Sequence, residues 1–158
     1  MILRDARPEE RAGLEELQRR ASLMWEDDRP FLLANPDAIE LPLAHIQAGF
    51  VRVAERDGKP LGFSVLLPRE RDALLEGLFV EPAHWKQGVG WALTQDAAVR
   101  TTALGLTALE VVANHNALGF YEKQGFVVTG LAQTQFGPAK RLRRGLESGP
   151  KAGLFPKT

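Results

Sequence analysis

The residues of this chain that could do chemistry gather in two short stretches. The first is Leu78-Phe79-Val80-Glu81-Pro82-Ala83-His84-Trp85-Lys86-Gln87-Gly88-Val89-Gly90, read as a strand, a short loop and a glycine pair that opens a helix. A helix N-terminus offers unpaired N–H groups and the positive end of a dipole, and glycine lets an anion approach that backbone closely. The backbone N–H groups of Gln87, Gly88, Val89, Gly90 and Trp91 are therefore candidates to hold a phosphate group. The plainer alternative is a tight turn that needs glycine only for its dihedral angles. The spacing fits neither the dinucleotide fingerprint nor the Walker loop. The second stretch is Asn114-His115-Asn116-Ala117-Leu118-Gly119-Phe120-Tyr121-Glu122-Lys123-Gln124-Gly125-Phe126, which contains the chain's one tyrosine. His45, His84 and His115 show no metal-ligand spacing, so no metal is expected. The absence of cysteine removes disulfides, thiolate zinc sites and a cysteine nucleophile together.

The elements that must position these residues follow from periodicity. Ile2 to Arg7 reads as a strand. Pro8 then opens a helical segment, Glu9 to Leu23, with Leu14, Leu17 and Ala21 on one face. Met24-Trp25 followed by Glu26-Asp27-Asp28-Arg29 and Pro30 reads as a helix end or loop, and Phe31 to Ala48 is weakly helical around Asn35-Pro36 and Pro42. Phe50 to Glu55 and Leu61 to Leu67 are strand-like across an Asp57-Gly58 turn, and Ala73 to Val80 makes a third strand of an antiparallel meander. Beyond it, Val89, Ala92, Leu93 and Ala97 share a helical face. Leu109 to Ala113 is a strand, Ala117 to Gln124 a helix with Gly125 as its C-cap glycine, and Phe126-Val127-Val128 a further strand. Lys140 to Arg144 reads as a last strand with a basic face or as a loose basic arm. This order predicts an α/β (α+β) fold with a mixed sheet and helices on its faces.

At 158 residues the chain is sized for one domain, expected over 1–148, with a flexible tail over 149–158. Twenty Lys and Arg balance twenty Asp and Glu, which argues against a dedicated nucleic-acid binder. Gly137 to Thr158 carries six basic residues and one acidic, so a basic tail offsets an acidic remainder. No apolar run nears the ~18 residues of a membrane span and the N-terminus lacks a signal-peptide layout, so the expectation is a cytoplasmic protein without membrane partners.

The two stretches together resemble the GNAT superfamily of acyl-CoA-dependent N-acyltransferases. Trp85 to Gly90 is similar to its coenzyme A motif, [QR]-x-x-G-x-[GA]. Asn114, Ala117, Phe120, Tyr121, Glu122, Lys123, Gly125 and Phe126 match its Asn-x-x-Ala-x-x-aromatic-Tyr-Glu-Lys-x-Gly-Phe block. The resemblance is specific over Leu74 to Val128. It departs at Trp85, where the family usually has Arg or Gln; the main-chain donors do not depend on that side chain, and Lys86 can supply charge. What the resemblance implies is a mostly antiparallel sheet that splays between two parallel strands, with acetyl-CoA as co-substrate. The pantetheine arm would bond to the edge Leu78-Phe79-Val80. Gly77 fits either a bulge that starts the splay or close packing under a helix.

Glu76 is the expected base. It lies within Leu74-Leu75-Glu76-Gly77-Leu78, an apolar setting that raises a carboxyl pKa, and the family often has an acid at this place. A solvated strand face or a structural ion pair is the alternative. Glu81 and His84 are reserves. Tyr121 matches the family's general acid, which would serve the thiolate leaving group, and is otherwise a core aromatic. Asn114 would bond pantetheine or cap the following helix. By analogy with the family, Trp25 and Glu26-Asp27-Asp28 border the acceptor pocket; a solvated helix end is the blander reading. The expected reaction is acetyl transfer to a small-molecule or peptide primary amine by direct attack in a ternary complex. A non-catalytic acyl-CoA-binding regulatory module is the alternative. Dimers are common in the resembling family, and no segment here proves one.

Overall fold

The structure is a computed structural model that describes residues 1–146. The expected tail over 149–158 and the boundary at 148 lie outside the described residues. Seven strands are hydrogen-bonded in the order β1-β2-β3-β4-β5-β7-β6. In chain order they are β1 (Ile2–Asp5), β2 (Val51–Arg56), β3 (Lys59–Pro68), β4 (Ala73–Val80), β5 (Ala108–Ala113), β6 (Val127–Thr134) and β7 (Gly137–Gly145). The helices are α1 (Arg11–Leu23), α2 (Arg29–Ala34), α3 (Leu43–Gln47), α4 (Val89–Ala103) and α5 (Leu118–Glu122). The chain groups into two compact units. The first holds Met1–Leu66 and Gly77–Asp96; the second holds Leu67–Glu76 and the described chain from Ala97.

In the first unit, Pro8 starts a single 3₁₀ turn, Pro8–Glu10, that leads into α1. Leu14, Leu17 and Ala21 are its buried residues, the spacing a one-sided helix requires. Pro30 does not end a helix. It stands in the first turn of α2, where its fixed φ is already helical and its missing N–H costs nothing. β1 pairs antiparallel with β2 and β2 with β3, around the Asp57-Gly58 turn in which both residues have positive φ. Val51, Val53, Phe63 and Val65 are fully enclosed. Ala54, Leu61, Val89 and Leu93 form a buried cluster on which Leu78 and Val80 pack, so β3, β4 and the start of α4 share one core.

In the second unit, β4 and β5 are parallel through three pairs, Ala73↔Leu109, Leu74↔Glu110 and Leu75↔Val111. The recorded pairing stops just before Glu76. β5 and β7 run antiparallel from Ala108↔Gly145 to Ala113↔Lys140, and β7 pairs with β6 on its other side. The basic segment Lys140 to Arg144 is thus strand, not a loose arm. β6 continues well beyond the three residues expected, to Thr134, with a register shift between Val128 and Gly130. Leu75, Val111 and Leu142 lie in one row and are buried; the neighbouring row, Leu74, Glu110 and Arg143, faces the other way and is half-buried.

Candidate functional site

The phosphate-type turn is built as its residues require. Lys86 (φ +64°) and Gly88 (φ +84°) both adopt left-handed backbone, which folds the chain sharply before Val89 enters α4. The Ala92 N–H donates to the Gly88 carbonyl at 3.0 Å, so the amides of Val89, Gly90 and Trp91 precede the helical ladder and have no acceptor within it. Gln87 and Gly88 are exposed, and a Cβ on Gly88 would meet nothing within 4 Å. Val89 is buried beside Leu93, which anchors the helix end. The result is an open cluster of main-chain donors at the positive end of a 15-residue helix.

Trp85 plays a different part from the arginine or glutamine it replaces. Its indole Nε1–H donates to the Val80 carbonyl at 2.8 Å, and its ring stacks on Trp25 with centroids 5.2 Å apart. It therefore ties the loop to the end of β4, and one lone pair of a carbonyl on the Leu78-Phe79-Val80 edge is taken. Glu81 accepts two bonds from Arg20, at 2.7 and 2.8 Å, and this pairing holds its carboxyl below the usual range. A carboxylate so engaged is no reserve base. His84 Nδ1 lies 3.2 Å from Gln87 Oε1. A Cβ on Gly77 would stand 2.7 Å from the Phe79 ring, so the close approach expected there is to a neighbour on the same strand rather than to a helix. Glu26, Asp27 and Asp28 form the turn between α1 and α2, with the Asp28 and Arg29 amides donating to the Trp25 carbonyl.

Glu76 is exposed, contrary to the apolar setting read from its neighbours. Strand alternation sends Leu75 to the core and Glu76 to the opposite face. No ion pair or hydrogen bond engages its carboxylate among the described residues. It lines a cavity of about 340 Å³ whose walls include Leu74, Val112, Ala132, Thr134 and Arg141. Tyr121 is buried, with Phe120 and Phe126 edge-on at 5.0 and 5.4 Å between ring centroids. Burial pushes its phenol pKa up, so the group holds its proton. Asn114 Oδ1 accepts the Ala117 N–H at 3.2 Å, which closes the turn before α5 and does not cap the helix, whose N-cap is Ala117, while its Nδ2 keeps its donors.

Two features escaped sequence reasoning. The Trp25–Trp85 stack joins residues of α1's exit and the loop before α4 that no local pattern relates. Arg141, on β7, reaches the Glu76 cavity because β7 is inserted between β5 and β6. The only available signal was the basic run Lys140 to Arg144, which carries no register.

Residues 12–126 match the family model described as Acetyltransferase (GNAT) family. The chain belongs to that family. This GNAT chain is also 39% identical over 84 residues to the peptidyl-lysine N-acetyltransferase YjaB of Salmonella typhimurium, a match covering 53% of each. With YjaB of Escherichia coli the identity is 38% over 84 residues. The GNAT chain thus spans about half the length of the curated relatives it matches. Among solved structures, a GCN5-related N-acetyltransferase of Rhodopseudomonas palustris superposes with a TM-score of 0.75 at 22% identity, covering 92% of this chain and 95% of the other. PaiA N-acetyltransferase of Thermoplasma acidophilum, in complex with coenzyme A, gives 0.74 at 19%, covering 91% and 98%. These two likenesses are of fold, and the GNAT sheet is what they share: mostly antiparallel, with one parallel pair.

Proposed function

We propose that the chain transfers the acetyl group of acetyl-CoA to a primary amine by direct attack in a ternary complex. The observation that carries this reading is the open turn at Lys86 to Gly90, with main-chain donors from Gln87 to Trp91, in a chain of this family. Those donors bind the diphosphate, and the free groups of the Leu78-Phe79-Val80 edge bind the pantetheine arm, with Asn114 Nδ2 as a further donor.

An aliphatic amine of pKa about 10 is mostly protonated at neutral pH and must lose a proton before it attacks. Glu76, whose carboxylate is open to solvent, takes that proton from the amine directly or through a water. The amine nitrogen then bonds to the thioester carbon, and a strand N–H of Leu78 or Phe79 stabilises the oxyanion. The C–S bond breaks, the nitrogen's second proton passes through water to the departing sulfur, and Tyr121, which keeps its own proton, hydrogen-bonds that sulfur. Peptidyl-lysine is what the YjaB relatives, matched over about half their length, act on by name, so a lysine ε-amine is the first acceptor to test.

Release of free thiol from acetyl-CoA, followed with a lysine peptide and a panel of small amines, tests the reading. Turnover with at least one acceptor, falling on the order of 10²-fold in kcat for Glu76→Gln, is the expected result. A rise in melting temperature with coenzyme A should persist in that variant. Binding without turnover for every acceptor would instead make the chain an acyl-CoA-binding module. Unchanged turnover in Glu76→Gln would remove the base.

A further inference from the structure

The cavity over Glu76 carries opposite charges at its two sides. On β4, Glu76 has no charged partner among the described residues. On β7, two strands away and so roughly 10 Å across the sheet, Arg141 belongs to a cluster of three guanidiniums and two carboxylates: Arg69, Arg141 and Arg143 with Asp72 and Glu110. Asp72 takes two bonds from Arg69, at 2.7 and 3.0 Å, and one from Arg143 at 2.6 Å. Glu110 is shared among all three arginines at 3.4 to 3.6 Å. Three positive charges against two negative leave one unit over, and it falls on Arg141. That residue has only the 3.4 Å contact with Glu110 and a bond from Nη1 to the Leu131 carbonyl. Its side chain is 41% exposed, and no partner among the described residues takes its Nη2. Val112, on the strand between them, separates the two charges, and Leu74 and Ala132 add apolar lining.

We propose that this cavity selects an acceptor whose amine is tethered to a carboxylate, with the ammonium end at Glu76 and the carboxylate end at Arg141. The assignment rests on the acetyltransferase reading for the fate of the amine, but the charge pairing stands on the cavity alone. A neutral or dicationic amine leaves the Arg141 charge unmatched, whereas a zwitterion satisfies both sides. The carboxylate can come from a free amino acid or from an acidic residue near a peptide lysine, and acceptors separate these sources.

The test compares glycine, β-alanine, γ-aminobutyrate and free lysine with their methyl esters, and lysine peptides with and without a neighbouring Asp. Both acetyl transfer and equilibrium binding to the coenzyme A-loaded protein are read, with a melting curve for each variant. A charge-assisted bond from a half-exposed guanidinium predicts that the best acid is favoured over its ester about tenfold or more. The gain should lie in KM and Kd. In Arg141→Gln the acid-to-ester ratio falls to near one, and Arg141→Lys retains part of it. Preference among the small acids points to amino acids, and preference confined to Asp-containing peptides points to an acidic peptide. Acid and ester bound alike, or a ratio that survives Arg141→Gln, overturns the proposal. Preferential binding of the acid with no transfer to any acceptor leaves the site standing and overturns the acetyltransferase reading instead.

Discussion

Trp85 stacks on Trp25 with ring centroids 5.2 Å apart and an interplanar angle of 25°, and through its indole N–H it also holds the Val80 carbonyl. One side chain thus fixes both the exit of α1 and the end of β4 at the position where an arginine or glutamine is usual in the family. Removing the ring in Trp85→Ala should cost about 2 kcal/mol in urea unfolding. Trp85→Phe, which keeps a ring and loses the donor, should cost about 1 kcal/mol. Equal losses in both variants would mean that the hydrogen bond, and not the stack, is what holds the loop.

Gly88 has φ +84° with open space where a Cβ would go, so a substitution there meets backbone strain rather than a clash. Gly88→Ala should lose about 1 kcal/mol of stability, and Gly88→Asn less, because asparagine tolerates left-handed backbone. Coenzyme A affinity, measured by calorimetry, should weaken in the same order. Undiminished affinity in Gly88→Ala would detach the turn from diphosphate binding.

Tyr121 is the chain's only tyrosine, so tyrosinate absorbance reports it alone. Burial raises its pKa in the folded state above the ordinary value near 10. Below pH about 10 the group is neutral in folded and unfolded chains alike, and it contributes no slope. Above that, the unfolded chain ionises while the folded chain does not, so stability falls as pH rises towards the folded pKa. Tyrosinate absorbance should therefore appear together with loss of tertiary structure. Tyr121→Phe should flatten the alkaline decline. Ionisation in a fully folded chain near pH 10 would contradict the buried setting.

Local pattern carried most of what was legible. Alternating Val51 and Val53, the Asp57-Gly58 turn and the helical face Leu14, Leu17, Ala21 each need only neighbours within one turn or pleat to be recognised. The sharp glycine turn before α4 was readable for the same reason. Glu76 shows where such reading stops: its chain neighbours are apolar, but the pleat puts them on alternate faces, and the burial of Leu75 says nothing about the residue after it. The Arg141 setting was beyond reach, because it depends on β7 lying between β5 and β6, a crossing that periodicity does not encode. The strand pattern of β6 fades after Val128 because Thr129-Gly130 breaks its alternation where the register slips.

That slip has a bearing on solubility. Among the described residues, β6 is the last strand in the hydrogen-bonding order and exposes Val127 and Leu131, at 64% and 66%, beside main-chain groups that face no further strand. A straight apolar border of this kind is a template for aggregation, and an irregular one is a poor template because a second chain cannot follow its twist. The one-residue irregularity at Thr129 therefore works as a safeguard against fibre-like stacking, and deleting it would expose that hazard without touching β4.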